Sequence, residues 1–298
     1  MPMPDFEIRP LKTLDDFHAA EAVQRAAWDS TDIDIVPLHI MLTIARNGGV
    51  ALGAFARDQL VGFVLGFLGT SNRYGAEAPA TVKLKHCSHQ LGVLPDWRDR
   101  GVGYALKAAQ REAVLNQGVR LITWTYDPLE SRNARLNITR LGAVCNTYHR
   151  NYYGELRDDL NQGLATDRFQ VDWWVASRRI ETRLTRQRPP LQLHHYLEVG
   201  APIINPAVWN DRELPVCHDP IAAPPPDRFL VEFPADFQAI RRADSALALA
   251  WRLQLRSICE VAFASGYTVI DFVYEPGPRA RSCYVLQRID SSESSLNT

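Results

Sequence analysis

The segment Arg98-Asp99-Arg100-Gly101-Val102-Gly103 has the residue types and spacing of an anion-binding turn. It follows an apolar run that ends at Val93 and precedes a helical pattern, so the chain turns there between a strand and a helix. Glycine at positions 101 and 103 lets the main chain approach a ligand closely. The first N–H groups of a helix have no partner within it, and together with the helix dipole they favour a negatively charged group such as a diphosphate.

We therefore expect a diphosphate to bind this turn, with arginine side chains adding positive charge at its mouth. The alternative is a strand–turn–helix connection in which the glycines serve tight packing only. The longer GxGxxG pattern of dinucleotide-binding proteins is absent, because Leu106 stands where its third glycine would be, and this disfavours a nicotinamide cofactor. The residues expected at the ligand are Arg98, Asp99, Arg100, Gly101, Val102, Gly103 and Tyr104.

The composition disfavours several other classes of protein. The 298 residues carry a net charge of -1, so no general excess of basic residues draws the chain to nucleic acid or to a membrane surface. The five cysteines are scattered without a CxxC pair, which argues against disulfides and a zinc site and suits a reducing compartment. The N-terminus does not read as a signal peptide, and the apolar run Val61–Leu68 is too short to cross a bilayer. We expect a cytoplasmic protein that needs no metal and binds neither nucleic acid nor membrane.

The elements around the turn predict an α/β fold with a mixed sheet. Hydrophobic periodicity gives the order β-α-α-β-β-β-α-β-α-β-β over about residues 6–176. The strand before the turn is predicted over Thr81–Val93, and the helix after it is predicted to end at Gly118. A further helix is predicted over 131–141, with Ser131 or Asn133 as its cap. Sheets of this kind bind ligands where strands and helices separate at the strand carboxyl ends.

The C-terminal third of the sequence predicts a second, smaller α/β domain. A domain over residues 1–180 is followed by an arginine- and proline-rich linker and irregular segment over residues 181–226. Residues 227–290 then show the pattern strand, long helix, strand, strand. The polar residues 291–298 are expected to be a disordered tail.

The turn and its neighbours resemble the GNAT superfamily of acyl-CoA transferases. The pyrophosphate motif of that family, Arg/Gln-x-x-Gly-x-Gly/Ala, is matched by Arg98, Gly101 and Gly103, and the element order matches across about residues 6–176. A later family motif, a helix ending in Leu-Gly-Phe, is partly met by Leu141-Gly142-Ala143. The whole chain is similar to two-part acetyltransferases of this superfamily, some of which are related to amino-acid N-succinyltransferases; the segment Asp127–Ala134 carries that likeness.

The resemblance implies roles for the strand that ends at Val93. That strand would splay from its neighbour, so that Gly92 and Val93 hold the pantetheine arm of the cofactor while the amide near Leu91 stabilises the oxyanion. Strict alternation would place Cys87, His89, Leu91 and Val93 on one face, which makes His89 the expected base that takes the proton of the acceptor amine. A half-buried structural histidine is the alternative for His89. His86 would replace it if a bulge shifts the alternation.

The resemblance also implies roles on the helix over 131–141. Ser131 and Asn133 would contact the pantetheine or adenosine part of the cofactor, although as helix caps they need no ligand. Many members of the family protonate the departing thiolate with a tyrosine from this helix, but Ile138 occupies that position here. Either the thiolate leaves without an acid, since thiols have pKa values near 8.5, or another tyrosine serves. The tyrosines near in sequence are Tyr126, Tyr148, Tyr152 and Tyr153.

Three interpretations of the function follow. The first is an N-acyltransferase that moves an acetyl or succinyl group from acetyl-CoA or succinyl-CoA to a small, amino-acid-like amine, either as a monomer or as a homodimer. The second is an acyl-CoA-binding regulatory protein that has lost turnover, which the isoleucine at position 138 favours. The third is an enzyme that modifies a protein or a ribosome, for which the C-terminal domain would supply the docking surface.

Overall fold

The computed structural model describes residues 5–28, 35–71, 75, 77–154, 164–185, 189–218 and 226–289. These residues form two compact units, the first ending at Trp124 and the second beginning at Thr125. The predicted tail over residues 291–298 lies outside the described residues, as does most of the proline-rich segment before residue 227.

The first unit is built on a mixed sheet, as the sequence predicts. Its strands follow the order β1-β2-β3-β4-β5, in which neighbours from β1 to β4 are antiparallel and β4 and β5 are parallel. The strands are β1 (Glu7–Pro10), β2 (Val50–Ala56), β3 (Gln59–Thr70), β4 (Leu84–Val93) and β5 (Leu121–Tyr126). The helices are α1 (Leu14–Trp28), α2 (Leu38–Arg46), the single turn α3 (Ala80–Lys83) and α4 (Val102–Asn116).

Helices cover both faces of this sheet. Apolar side chains of α1 and α2 pack with Phe63 and Leu65 of β3 on one face. Side chains of α4 pack with Val61 and Val64 on the other face. Because β3 is buried between these layers, its apolar residues are shielded on both sides, which explains why this strand is a nearly continuous apolar run.

The second unit contains an antiparallel sheet in the order β7-β6-β11-β12-β10. The long helix α9 packs on it and buries Trp251, Leu255 and Cys259. Its strands are β6 (Val144–His149), β7 (Arg168–Trp174), β8 (Val208–Trp209), β9 (Pro215–Val216), β10 (Arg228–Pro234), β11 (Tyr267–Glu275) and β12 (Arg281–Arg288). Its helices are α5 (Ser131–Ala134), α6 (Arg178–Leu184), α7 (Leu193–Glu198), α8 (Phe237–Ala243) and α9 (Ser245–Ala264).

The end strand β10 is paired on its outer side by the segment that precedes β8. The N–H of Leu230 donates to the carbonyl of Pro202 at 2.8 Å, and the N–H of Ile204 donates to the carbonyl of Leu230 at 3.0 Å. Ile203 and Leu230 thus form a parallel bridge.

The predicted element order is confirmed, with two local corrections. The strand predicted from Thr81 begins at Leu84, because residues 80–83 form the single turn α3. The helix predicted over 131–141 is α-helical only to Ala134 and continues as a π-helical turn to Arg140. In that turn the N–H of Leu141 bonds to the carbonyl of Leu136, five residues earlier, which widens the helix.

The compact units divide the chain earlier than the predicted domains do. Strands β6 and β7 belong to the second unit because Cys145 of β6 pairs with Val269 of β11. The domain boundary near residue 180 and the linker to residue 226 stay predictions, since compactness in space and separate folding are different properties.

Candidate functional site

The turn after β4 exposes the main chain that opens α4. Residues Pro95–Trp97 form a short 3₁₀ turn, and Asp99 and Gly101 then adopt left-handed conformations with φ of 61° and 85°. Gly101 is the N-cap of α4, and no side chain caps this helix. Because the first N–H groups of a helix have no acceptor within it, the amides after Gly101 lie at the positive end of the helix dipole and can bind an anion.

The two arginines of the turn behave differently. The guanidinium of Arg98 donates to the carbonyl of Ala27 at 2.7 Å, so this side chain caps the last turn of α1. The guanidinium of Arg100 lies over the indole ring of Trp97, with its carbon 5.1 Å from the ring centroid. Arg100 is exposed beside the turn, whereas Arg98 is partly committed to α1. The predicted contacts of both with a ligand remain predictions.

Strands β4 and β5 part shortly after they meet. In the described residues, their parallel ladder holds two pairs, His86 with Ile122 and Cys87 with Thr123. Beyond Cys87, β4 continues to Val93 in pairing with β3 alone of its two neighbours in the first unit. We call the point where the strands part, directly after Cys87 and Thr123, the fork.

The free edge of β4 presents main-chain groups of Leu91 and Val93. The N–H of Leu94 donates to the carbonyl of Val61 at 2.9 Å. Residues of an antiparallel pair alternate between bonding their partner and pointing away from it. Counting back from Leu94 along the regular part of the ladder, Gly92 bonds towards β3, and the main-chain groups of Leu91 and Val93 point to the opposite edge. This placement agrees with the roles expected for the Leu91 amide and for Val93.

A β-bulge at His89 overturns the predicted alternation of side chains along β4. The register moves from Leu65 opposite Gln90 to Gly66 opposite Ser88, so His89 is an extra residue without its own partner. His89 contacts Phe67, with ring centroids 5.9 Å apart. Leu91 and Val93 instead pack on the α4 side of the sheet. The expectation that His89 shares a face with Leu91 and Val93 is therefore wrong.

His89 is nevertheless the more accessible of the two histidines of β4. Its side chain is exposed, while neighbouring atoms desolvate the ring and lower its pKa. His86 is completely buried, and its Nε2 lies 3.1 Å from the side-chain amide of Gln110. Burial and the charge of Lys107 lower the pKa of His86 to about 4. At neutral pH both rings are therefore uncharged, as a base requires, but only His89 is exposed.

A buried polar cluster lies between α4 and the beginning of β4, and sequence reasoning missed it. The ammonium of Lys107, which is 2% exposed, donates to the hydroxyl of Ser88 at 3.0 Å and to the side-chain carbonyl of Gln110 at 2.8 Å. Ser88 in turn donates to Gln110 at 3.0 Å. One sequence signal could have revealed the cluster, because Gln110 interrupts the apolar stripe of α4 formed by Val102, Leu106 and Val114.

In the second unit, the side chains of the 131–140 segment are largely engaged within the fold. The hydroxyl of Ser131 lies 2.8 Å from that of Ser282, and Asn133 is exposed. The N-cap of α5 is Glu130, so neither Ser131 nor Asn133 is the cap that the sequence predicts. Ile138 is completely buried. The predicted cofactor contacts of Ser131 and Asn133 remain predictions.

The four tyrosines suggested as alternative acids fall into two pairs. Tyr126 and Tyr148 are tied into the fold, the first by Tyr284 at 3.1 Å and the second by donating to Asp167 at 2.6 Å. Burial raises the pKa of both phenols, which makes them poor acids. Tyr152 and Tyr153 are exposed, and the hydroxyl of Tyr153 lies 2.9 Å from that of Thr125.

The arginines that follow β7 serve as structural bonds. Arg179 donates to the carbonyls of Gly142 and Ile270. Arg183 pairs with Asp271 at 2.8 Å. In the described part of the chain, no cluster of three or more histidine, cysteine or acidic side chains is arranged to hold a metal ion. No helix in that part is both long and apolar enough to cross a membrane.

Solved structures similar to this chain include three N-acetyltransferase-type matches. The ribosomal-protein-S18-alanine N-acetyltransferase of Escherichia coli is 16% identical with a TM-score of 0.42, over 57% of this chain and 94% of that chain. An N-acetyltransferase of Staphylococcus aureus is 15% identical with a TM-score of 0.44, over 57% and 98%. The NAA60 protein of Arabidopsis thaliana in complex with acetyl-CoA is 17% identical with a TM-score of 0.45, over 57% and 99%. No family model and no curated protein matches the sequence. Likeness at this level concerns the fold and assigns no residue a role.

Proposed function

We propose that this protein is an acyl-CoA-dependent N-acyltransferase. The fork between β4 and β5, with the opening amides of α4 following β4 in the chain, is the observation that carries the proposal. An unpaired strand edge offers donors and acceptors to an extended amide-containing arm, and a helix N-terminus offers a site for a diphosphate. Coenzyme A joins these two groups in one molecule, which supports an acyl-CoA as the ligand.

In the proposed reaction, the main chain of β4 handles the thioester. The diphosphate binds at the amides after Gly101, and the pantetheine arm follows the free edge of β4 past Val93. The N–H of Leu91 donates to the thioester oxygen as negative charge develops on it. The acceptor nitrogen attacks the carbonyl carbon, the carbon–sulfur bond breaks, and the coenzyme leaves as a thiolate that takes up a proton. His89 accepts the proton that the amine loses.

The acyl group and the acceptor are the finer part of the proposal. We propose an acetyl or succinyl group and a small, amino-acid-like amine, a choice supported by the resemblance of Asp127–Ala134 to two-part acetyltransferases. The absence of a strong net charge suits a small acceptor better than an RNA-associated target.

One observation favours a second candidate function, an acyl-CoA-binding protein without turnover. Ile138, at the position where the related enzymes carry an acid, is completely buried, and the phenols of Tyr126 and Tyr148 are engaged in the fold. Thiol release from acetyl-CoA or succinyl-CoA with a panel of amino acids separates the two candidates. Release with any acceptor supports the enzyme, and tight binding without release supports the binding protein.

The site itself is tested by Gly103→Glu. A carboxylate in the first turn of α4 fills the space for the diphosphate and repels its charge, so we expect calorimetric binding of CoA to be lost in a folded protein. Asn116→Glu adds the same charge at the other end of α4 and should bind CoA normally. Unchanged affinity in folded Gly103→Glu, or no heat from the wild type with any CoA thioester, would contradict the proposal.

A further inference from the structure

The fork is occupied by a side chain from α4. Ser88 follows Cys87 on β4, and Trp124 follows Thr123 on β5, so these two residues are the first beyond the last paired positions. The ammonium of Lys107 reaches both strands. It donates to the hydroxyl of Ser88 at 3.0 Å and lies 3.6 Å from the centroid of the Trp124 ring.

We propose that Lys107 is a positioning residue that holds the fork between β4 and β5 open and thereby places the acyl end of the cofactor. The inference rests on the proposed acyltransferase function. It assigns to the lysine a task that neither the diphosphate turn nor the free edge of β4 performs, which is to fix where the two strands stop pairing.

The neighbouring polar groups hold Lys107 in one position. Gln110, one turn later on α4, accepts from the lysine at 2.8 Å and from Ser88 at 3.0 Å, while its amide nitrogen lies 3.1 Å from the ring of His86. The cluster therefore ties α4 to β4 at two alternate residues, Ser88 and His86. A satisfied buried network of this kind specifies one arrangement of the elements that it joins.

Stability alone does not explain a lysine at this position. Its side chain is 2% exposed, and burial lowers its pKa well below the usual range. Taking an ammonium group out of water is costly, and an apolar side chain of similar volume is often neutral or stabilising in such a place. A group that is costly to bury and contacts both strands at their point of separation is a candidate for a functional role.

The position of Ser88 controls the strand that follows it. The bulge residue His89 comes next, and the free edge with Leu91 lies two residues beyond the bulge. If Ser88 moves towards β5, pairing can extend past the fork and the Leu91 amide moves with it. The arm of the cofactor would then lose its bed, while the diphosphate turn after Gly101 would be unchanged.

The test compares Lys107→Met, which keeps the length and removes the charge, with Arg111→Met, one turn later on the same helix. We measure thiol release from acetyl-CoA with the best acceptor, and calorimetric affinity for acetyl-CoA and for ADP, which has a diphosphate but no arm. For Lys107→Met we expect kcat to fall roughly 100-fold, because displacing a positioned group by about 1 Å costs that much. Affinity for acetyl-CoA should fall relative to that for ADP, and Arg111→Met should match the wild type.

Two further variants keep the test decisive if Lys107→Met does not fold. Ser88→Ala removes only the hydroxyl and should lower kcat less, and Lys107→Arg should retain more turnover than the methionine variant because it keeps the charge. Wild-type kcat and a wild-type affinity ratio in folded Lys107→Met, or in Ser88→Ala if that variant alone folds, would overturn the inference. A wild type that binds neither acetyl-CoA nor ADP would instead overturn the proposed function.

Discussion

The two units bury charged side chains in different company. In the first unit, Lys107 contacts a hydroxyl, an amide and an indole ring. In the second unit, buried carboxylates meet guanidinium groups in two-pronged pairs, as Asp127 does with Arg252 at 2.7 and 2.6 Å. Arg256 binds Asp167 and Arg281 binds Glu232 in the same manner.

The difference shows which buried charges serve the fold. Burial opposes ionisation of Asp167, but hydrogen bonds from Arg256 and Tyr148 outweigh it and lower the pKa of the carboxyl. For Lys107, burial prevails and the pKa falls well below the usual range. A charge matched by an opposite charge is explained by structure, whereas a lysine whose charged form is disfavoured asks for a functional reason.

The largest expected effect is on the paired charges of the second unit. Arg252→Met leaves the buried carboxylate of Asp127 without its main partner, so we expect the free energy of unfolding to fall by about 3–5 kcal/mol. Chemical denaturation measures the change. The matched control is Arg279→Ala, which removes an exposed partner of Glu213 and should cost less than about 1 kcal/mol. Equal losses in the two variants would remove the distinction between structural and exposed pairs.

The buried histidine of the first unit predicts a dependence of stability on pH. The pKa of His86 is about 4 in the folded protein against 6.5 for an unperturbed side chain, so between these values only the unfolded chain binds the proton. The contribution is complete above pH 6.5 and is lost as the pH falls towards 4, to a total of about 3 kcal/mol. Denaturation of the wild type and His86→Gln over this range measures it. The variant should show the shallower decline, and parallel curves would contradict the assignment.

A smaller effect separates binding from stability at the two ends of α4. Gly101 and Gly118 both have positive φ, at 85° and 75°, and an added Cβ would meet no atom within 4 Å at either position. Alanine at either should cost about 1–2 kcal/mol through backbone strain. Only Gly101→Ala should also weaken CoA binding, since it alters the turn that presents the amides. Calorimetry that found equal affinities for the two variants would detach the turn from the ligand.

Much of the first unit could be predicted from the sequence because its signals are local. The order of its main strands and helices follows from apolar periodicity and from glycines at helix ends. The turn around Gly101 was predicted from residue type and spacing alone. The bulge at His89 could not be, because the polar run from His86 to Gln90 carries no alternation from which an inserted residue would show.

The buried lysine and the division of the chain depend on contacts between distant residues. Lys107 stands beside the apolar stripe of α4, where a lysine usually remains in water, and its burial depends on Ser88 and Trp124. The placement of β6 in the second unit depends on Cys145 and Val269, which are far apart in sequence. No local pattern encodes such pairings.

The pairing of Leu230 with Pro202 and Ile204 has a consequence for the behaviour of the protein in concentrated solution. A bare end strand displays a row of N–H and C=O groups on which a strand from another molecule can add, and repeated addition leads to aggregates. At Leu230 both groups are already taken by the chain's own segment. That segment therefore protects this position of the sheet from recruitment by neighbours, and it does so without any charged residue on the strand.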